Sequence, residues 1–399
     1  MVVCKPSDSA LPFTFSPSLT ATAPTLLVAA VIVIAYDQRV ALALSALHAL
    51  LACVALDQPI GVYALSITGV GVLVWQLREV RQRNTLIRAG VIGGLVLAAG
   101  TVLVALIDRP ITGESLRQTL GDAAWSGAGA LGVCIVMLAM LPTIERVFDI
   151  TTGMTLIELR DPRHPLLRQL QQRAPGTYNH SLNVAAIAEA AADSIGADPL
   201  LTYVGALYHD VGKMNKPEYF VENLAGGPSR HEKLSPAMSL LVIVGHVKDG
   251  LELAREFGLP RPILHFIEAH HGTTLVEYFY DRARRRAEEQ AQFDDRPPPE
   301  EVEYRYPGPK PRTRECAILM LADAVESATR TLAEPTPGRI EALVYALANK
   351  RLLDGQFDDC DLTLRQLSTI VGSISRSVAA IYHGRVAYPS ADESAEARA

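Results

Sequence analysis

The chain has 399 residues, 49% of them hydrophobic and 20% charged, with a net charge of −6. Its length suits about two or three domains, and its acidic balance gives no reason to expect a groove for a nucleic-acid polymer. The five cysteines (Cys4, Cys53, Cys134, Cys316 and Cys360) have no CxxC spacing and imply neither a disulfide framework nor a zinc ribbon. Cys316 precedes an apolar helical run and reads as core rather than nucleophile.

Residues 1–20 are polar and rich in Pro and Ser, and are expected to be a disordered tail. Residues 21–146 read as a transmembrane domain. Apolar segments lie near 22–36, 40–56, 59–77, 89–107 and 123–144. Ala89 to Ile107 carries no charge, nor does Ala123 to Ile144. Crossing the hydrocarbon takes about 20 apolar residues, so these two are the strongest spans. The first segment is short enough for a signal-peptide core, but it continues through only Asp37-Gln38-Arg39 into the next. Small residues at Gly90, Gly93, Gly94, Ser126, Gly127, Gly129 and Gly132 suit close helix packing in lipid. Arg78, Arg81, Arg83 and Arg88 mark their loop as cytoplasmic by the positive-inside rule. That places the chain after the fifth span inside the cell, although Arg109 and Arg117 in the outer loop argue weakly against it. No span carries an acid-base series, so a pump or channel has little support. His48 reads as a packing or hydrogen-bonding residue.

Residues 150–388 form the second expected domain, with a disordered tail at 389–399. Helices are expected over Thr177 to Ile195, after Asp198-Pro199, after Ser235-Pro236, from Arg261-Pro262 to His270-His271, over Thr313 to Thr331, and near 338–351 and 362–383. The caps are Asp or Ser followed by proline at the first helical position. No convincing strand is present, so the fold class is all-α. Residues 281–312 interrupt the series with a charged stretch and Pro-rich loops. Tyr304 to Lys310 is compact and aromatic, a candidate to fold back over a ligand.

His209-Asp210 ends the apolar run Leu200 to Leu207. The pair could bind one ion or two neighbouring ions, or be a satisfied core histidine beside a helix-end carboxylate. Lys213 follows after a glycine and reads as a mobile cation nearby. His180, His246, His270 and His271 also stand at helix ends or in apolar helices, and Asp323 lies inside an apolar run. Burying so many polar groups without partners is costly. A metal pair removes the difficulty, and mixed His/Asp ligation without thiolate suits iron or manganese more than a structural zinc. His164, His231, His265 and His383 fit this pattern less well.

The ordered series His180, His209-Asp210, His246, His270-His271 and Asp323 resembles the HD phosphohydrolase superfamily in its two-metal form. The longer motifs Ala174 to Leu182, Tyr208 to Lys213, His231 to Pro236, Ser239 to Gly250, His270 to Val276, Tyr306 to Lys310 and Asp354 to Thr363 resemble the seven-transmembrane HD family. That family consists of bacterial membrane phosphodiesterases hydrolysing cyclic di-AMP to pApA. The resemblance implies two divalent transition-metal ions, Fe or Mn. One would lie on His180, His209, Asp210 and Asp323, the other on Asp210, His246, His270 and His271, with Asp210 bridging. It also implies a cyclic dinucleotide as substrate, Asp210 and Lys213 as catalytic residues, and Lys213, Thr273 and Lys310 as phosphate contacts. A lipid bilayer is the expected surrounding, at the inner membrane with the catalytic domain cytoplasmic, and a homodimer is held open. The chain departs from the family in having about five spans rather than seven and no large extracellular domain. Asn179 stands where a second histidine is frequent. Gly272-Thr273-Thr274 after the paired histidines is not the Gly-Tyr-Pro of cyclic di-GMP enzymes. Two other readings remain: a phosphohydrolase for a different nucleotide, and a nucleotide-sensing receptor without turnover.

Overall fold

The computed structural model describes residues 17–78, 83–224, 227–290 and 297–383. The expected tails at 1–16 and 389–399 and Arg81 lie outside these. Residues 17–20, expected in the disordered tail, instead begin a helix. The chain forms two units, Met1–Thr155 and Leu156–Ala399.

The first unit holds α1 (Pro17–Ala35), α2 (Gln38–Ala55), α3 (Ile60–Gln76), α4 (Arg83–Asp108) and α5 (Gly113–Phe148). All five apolar segments are helices, and α4 and α5 run past the expected ends by taking in polar flanking turns. By length and composition three helices can cross a membrane: Gln38–Ala55, Asn84–Asp108 and Gly113–Phe148. Leu19–Ala35 and Ile60–Gln76 are shorter apolar helices.

The small residues act where α4 meets α5. A Cβ on Gly94 would lie 2.8 Å from the Gly127 carbonyl oxygen, and one on Gly90 would lie 3.0 Å from Cys134 Cβ. Gly93 and Gly132, by contrast, face open space. Thr101 donates to Ser126 Oγ across the same seam at 3.2 Å. His48 Nδ1 meets Thr25 Oγ1 at 2.9 Å, the hydrogen-bonding role expected of it. Leu26, Val70, Leu73, Leu97, Met137 and Leu141 fill the interior. Leu51, Val54, Trp75, Leu95, Leu103 and Ile107 stay exposed.

α6 (Gly153–Arg160) spans the division between the units. The second unit then holds α7 (Pro165–Arg173), α8 (Pro175–Ser194), α9 (Pro199–Tyr208), α10 (Pro236–Glu256), α11 (Arg261–Ala269), α12 (Glu277–Gln290), α13 (Arg314–Thr329), α14 (Pro337–Leu353) and α15 (Leu364–His383). Short 3-10 turns, the first at Val211–Asn215, fill the α9–α10 connection. The caps expected at Asp198 and Ser235 form, and Thr313 caps α13 as well. Asp198 accepts from Leu201 N at 3.0 Å, Ser235 from Met238 N at 3.2 Å and Thr313 from Cys316 N at 3.2 Å. Each is worth about 1 kcal/mol. Among the described residues the only β pairing is an isolated bridge between Leu275 and Arg305.

α13 is apolar around its circumference from Cys316 to Ala322 and is buried accordingly. α8 packs on α9, α13 and α15, and α11 packs on α9. These helices share one core that includes Ile187, Val204, Phe266, Leu319 and Ile370. Gly205 lets α9 approach α11, because a Cβ there would meet the Phe266 ring at 2.4 Å.

Candidate metal centre

Three helix interiors and the ends of two further helices deliver the site. His180 lies on α8, His209 caps α9, Asp210 opens the 3-10 turn, His246 lies on α10, His270 caps α11 with His271 next, and Asp323 lies on α13. Gly212 sets the approach of the His209-Asp210 turn to α10. A Cβ there would stand 1.9 Å from the His246 carbonyl oxygen and 2.5 Å from Gly250 N.

All seven residues named from the sequence come together. Their ligand atoms form two groups, His180, His209, Asp210, Asp323 and Asp210, His246, His270, His271, with atoms within 4.8 Å of one another in each. Asp210 divides between them by oxygen. Its Oδ2 lies 3.2 Å from His209 Nε2 and 3.6 Å from His180 Nε2. Its Oδ1 lies 3.4 Å from His246 Nε2 and 3.7 Å from His270 Nε2. Asp323 Oδ1 is 3.0 Å from His180 Nε2, and Oδ2 is 3.9 Å from His271 Nδ1.

Four of the rings are oriented from behind. Nδ1 of His209 donates to Ala206 O at 2.7 Å, that of His246 to Ile243 O at 2.6 Å, and that of His270 to Ile267 O at 2.9 Å. Nδ1 of His180 donates to the Glu326 carboxylate at 2.6 Å. For His209, His246 and His270 the contact fixes a tautomer whose Nε2 lone pair faces the centre, the usual arrangement behind a metal-ligating imidazole, whereas His180 also meets Asp323 through Nε2. His209 Nε2 and Asp210 Oδ1 are buried and make no hydrogen bond of acceptable geometry, and among the described residues Asp210 Oδ2 has Lys213 as its only charged partner besides the histidines. Buried polar atoms are normally satisfied, and a cation in each group would satisfy these. The donor set fits divalent transition metals.

Burial holds His270 down to about 3, reinforced by His209, and it likewise lowers His246 and His271. These imidazoles are neutral and able to coordinate. For His180, burial also favours the neutral ring, but hydrogen bonds to Asp323 and Glu326 prevail and raise it to about 9. Burial opposes the charge on Asp210, yet His209 and Lys213 keep it ionised.

Lys213 is not the mobile cation expected. Its Nζ lies 2.7 Å from Asp210 Oδ2 and 3.1 Å from Glu222 Oε1. Burial works against its charge, but the two carboxylates raise its pKa above the ordinary lysine value. A cavity of about 310 Å³ opens beside it, lined also by His180, Glu222, Ser327 and Arg330. A second, of about 260 Å³, is lined by His270, His271, Asp323, Tyr306 and Arg351 among others.

Thr273 and Lys310, expected to touch phosphate, line neither cavity. Thr273 is held by Gln356, which accepts from its N at 2.9 Å and donates to its Oγ1 at 2.9 Å. Lys310 Nζ reaches Asp358 Oδ2 at 3.3 Å. Tyr304 to Lys310 lies against the site: Tyr306 stacks on His271 with centroids 4.2 Å apart, and Arg305 grips Asp354 and the Thr273 carbonyl. His231 bonds Tyr219 O and His265 accepts from Arg312 N, so neither joins the cluster.

Sequence reasoning missed Glu326, Glu222 and Gln356. Glu326 was within reach, since it follows Asp323 by three positions on one helix and so shares its face. Glu222 and Gln356 carried no local signal.

The fold and site define an all-helical HD-domain protein with a buried His/Asp centre able to hold metal. The HD domain family model matches residues 177–328, and the model for a 7TM receptor with intracellular HD hydrolase matches residues 4–152. The cyclic-di-AMP phosphodiesterase PgpH of Listeria monocytogenes serotype 1/2a (strain 10403S) is 39% identical over 318 residues, covering 79% of this chain and 42% of that protein. PgpH of Bacillus subtilis (strain 168) is 36% identical over 333 residues, covering 83% and 45% respectively. This chain therefore spans less than half the length of these relatives. The crystallised HD domain of L. monocytogenes PgpH in complex with cyclic di-AMP is 43% identical and is covered in full, over 56% of this chain, with a TM-score of 0.52. The chain belongs to the family of seven-transmembrane receptors with an intracellular HD hydrolase domain.

Proposed function

We propose that this protein is a membrane-anchored, dinuclear-metal phosphodiesterase that hydrolyses cyclic di-AMP to pApA. One observation carries the reading: the two oxygens of Asp210 face two separate sets of histidine nitrogens. A carboxylate so placed bridges two cations. His180, His209, Asp210 and Asp323 would hold one ion and Asp210, His246, His270 and His271 the other, with Fe or Mn suited to these donors. When bound, such a pair supplies Lewis acidity and an activated water at neutral pH.

The protein's own groups do the rest. Glu326 and the backbone carbonyls behind His209, His246 and His270 hold the rings in the coordinating tautomer. Lys213, fixed between Asp210 and Glu222, keeps positive charge beside the first group, where it offsets charge gathering on phosphoryl oxygens. Tyr306 stacks on His271 and holds its ring in place. The substrate follows from the likeness to an HD domain crystallised with cyclic di-AMP. The exposed leucines, Trp75 and Ile107 of the first unit suit lipid contact, with the HD domain on the cytoplasmic side.

The test is product analysis by the detergent-solubilised full chain with Mn2+ or Fe2+. Cyclic di-AMP converted to pApA, with about two metals per chain, is the expected result. Turnover of another nucleotide in preference, or nucleotide binding without turnover, overturns it.

A further inference from the structure

Ile340, Val344 and Ala348 form the buried stripe of α14. Arg351 continues that stripe at the next helical step, so a guanidinium occupies a core-facing position. Its neighbour Lys350 points elsewhere and pairs with Glu277. Arg351 is half-buried, and its Nε is buried without a hydrogen-bond partner. No described carboxylate forms an ion pair with it. The acids nearest in effect have other partners: Asp323 contacts His180, and Asp354 takes Arg305 in a two-pronged pair. A partly buried charge left without a counter-charge is destabilising, so an arginine with no anion in the resting fold needs an explanation. The explanation lies in front of it: Arg351 lines the 260 Å³ cavity together with His270, His271, Asp323 and Tyr306.

We infer that Arg351 is a substrate-phosphate ligand, its guanidinium binding a non-bridging phosphodiester oxygen in the cavity beside His270 and His271. The inference deepens the proposed function and rests on it for the substrate, but not for the anion site. A planar guanidinium suits phosphate because its N–H groups match two oxygens at once. The histidines of this cavity would be engaged by the proposed metals, and Lys213 lies with the other cavity, so Arg351 is the one lysine or arginine among the described lining residues here. Arg351 supplies the missing complement. The cost of holding it without an anion is returned when phosphate arrives.

The full chain in detergent, loaded with Mn2+, is compared with Arg351→Met and Arg351→Lys. Titration with inorganic phosphate reads anion binding, thermal unfolding reads the fold, and elemental analysis reads the metals. The Met variant should keep its metals and unfold at the same or a higher temperature, because an apolar chain replaces an unpaired, half-buried cation. Its phosphate affinity should fall tenfold or more, and KM for cyclic di-AMP should rise by a similar factor. Lys should recover part of both. A wild type that binds no phosphate overturns the inference, as does equal affinity in wild type and the Met variant. A Met variant that loses metal and unfolds at lower temperature makes Arg351 structural and overturns it too. If wild type binds phosphate through Arg351 yet leaves cyclic di-AMP intact, the substrate reading fails while the anion site stands.

Discussion

Glu326 accepts a 2.6 Å hydrogen bond from Nδ1 of His180, from a position one helical turn beyond Asp323, which meets the other nitrogen of the same ring. A single helix thus orients the imidazole from behind and offers a carboxylate in front. Removing a carboxylate in this role usually weakens metal affinity by about 10- to 100-fold. Glu326→Gln should do so for one ion of the pair and leave the other in place. Calorimetric titration of the metal-free protein with Mn2+ checks it, and two unchanged binding steps would contradict it.

Metal uptake should release a proton from His180. Burial alone would lower its pKa, but Asp323 and Glu326 raise it to about 9, above the ordinary 6.5. Because the folded pKa is raised, the charged ring stabilises the metal-free fold fully below about pH 6.5, and that contribution is lost as pH rises through about 9. A metal on Nε2 must displace the proton, so affinity should rise about tenfold per pH unit until about pH 9. His270, held down to about 3, adds nothing to this release. Titrations in buffers of differing ionisation enthalpy at pH 7.5 should show about one proton released. None released would sink the assignment.

Asp210→Ala should abolish turnover more completely than His180→Ala or His271→Ala. Its two oxygens serve both donor groups, whereas each histidine serves one. Metal stoichiometry should fall most in the Asp210 variant. Retention of two metals and near-normal turnover there would exclude the two-metal arrangement.

Gly212→Ala should unfold at much lower temperature than wild type. The added methyl would stand 1.9 Å from the His246 carbonyl oxygen, and backbone on both sides leaves no soft neighbour to yield. The expected loss is about 3 kcal/mol or more. An unchanged unfolding temperature would mean that the turn is free to move.

Gln356→Ala should loosen the turn carrying His271. Gln356 is fully buried and binds Thr273 through both its amide atoms. Its loss leaves the Thr273 N–H unsatisfied, a cost of about 1–3 kcal/mol. Metal affinity at the His246, His270 and His271 group should fall while the other group is spared. Stepwise metal titration separates the two.

Local rules were enough for much of this protein. The caps at Asp198 and Ser235 and the apolar runs placed the helices, because capping and periodicity act within a few residues. All seven donor residues could be named, because histidines and acids inside apolar helices are costly unless they share a purpose. What depended on the tertiary structure was every relationship between residues distant in sequence. Lys213 looked mobile because Glu222 could not be seen folding against it. Thr273 and Lys310 take Gln356 and Asp358 as partners, each more than 40 positions away, which no local pattern announces. Arg351 drew no attention, since an arginine on a helix is ordinary until packing places it over the core beside the metal centre without an anion. Sequence spacing decides which face of a helix a group shares with its near neighbours. Only the packing of one helix on another decides what that face meets.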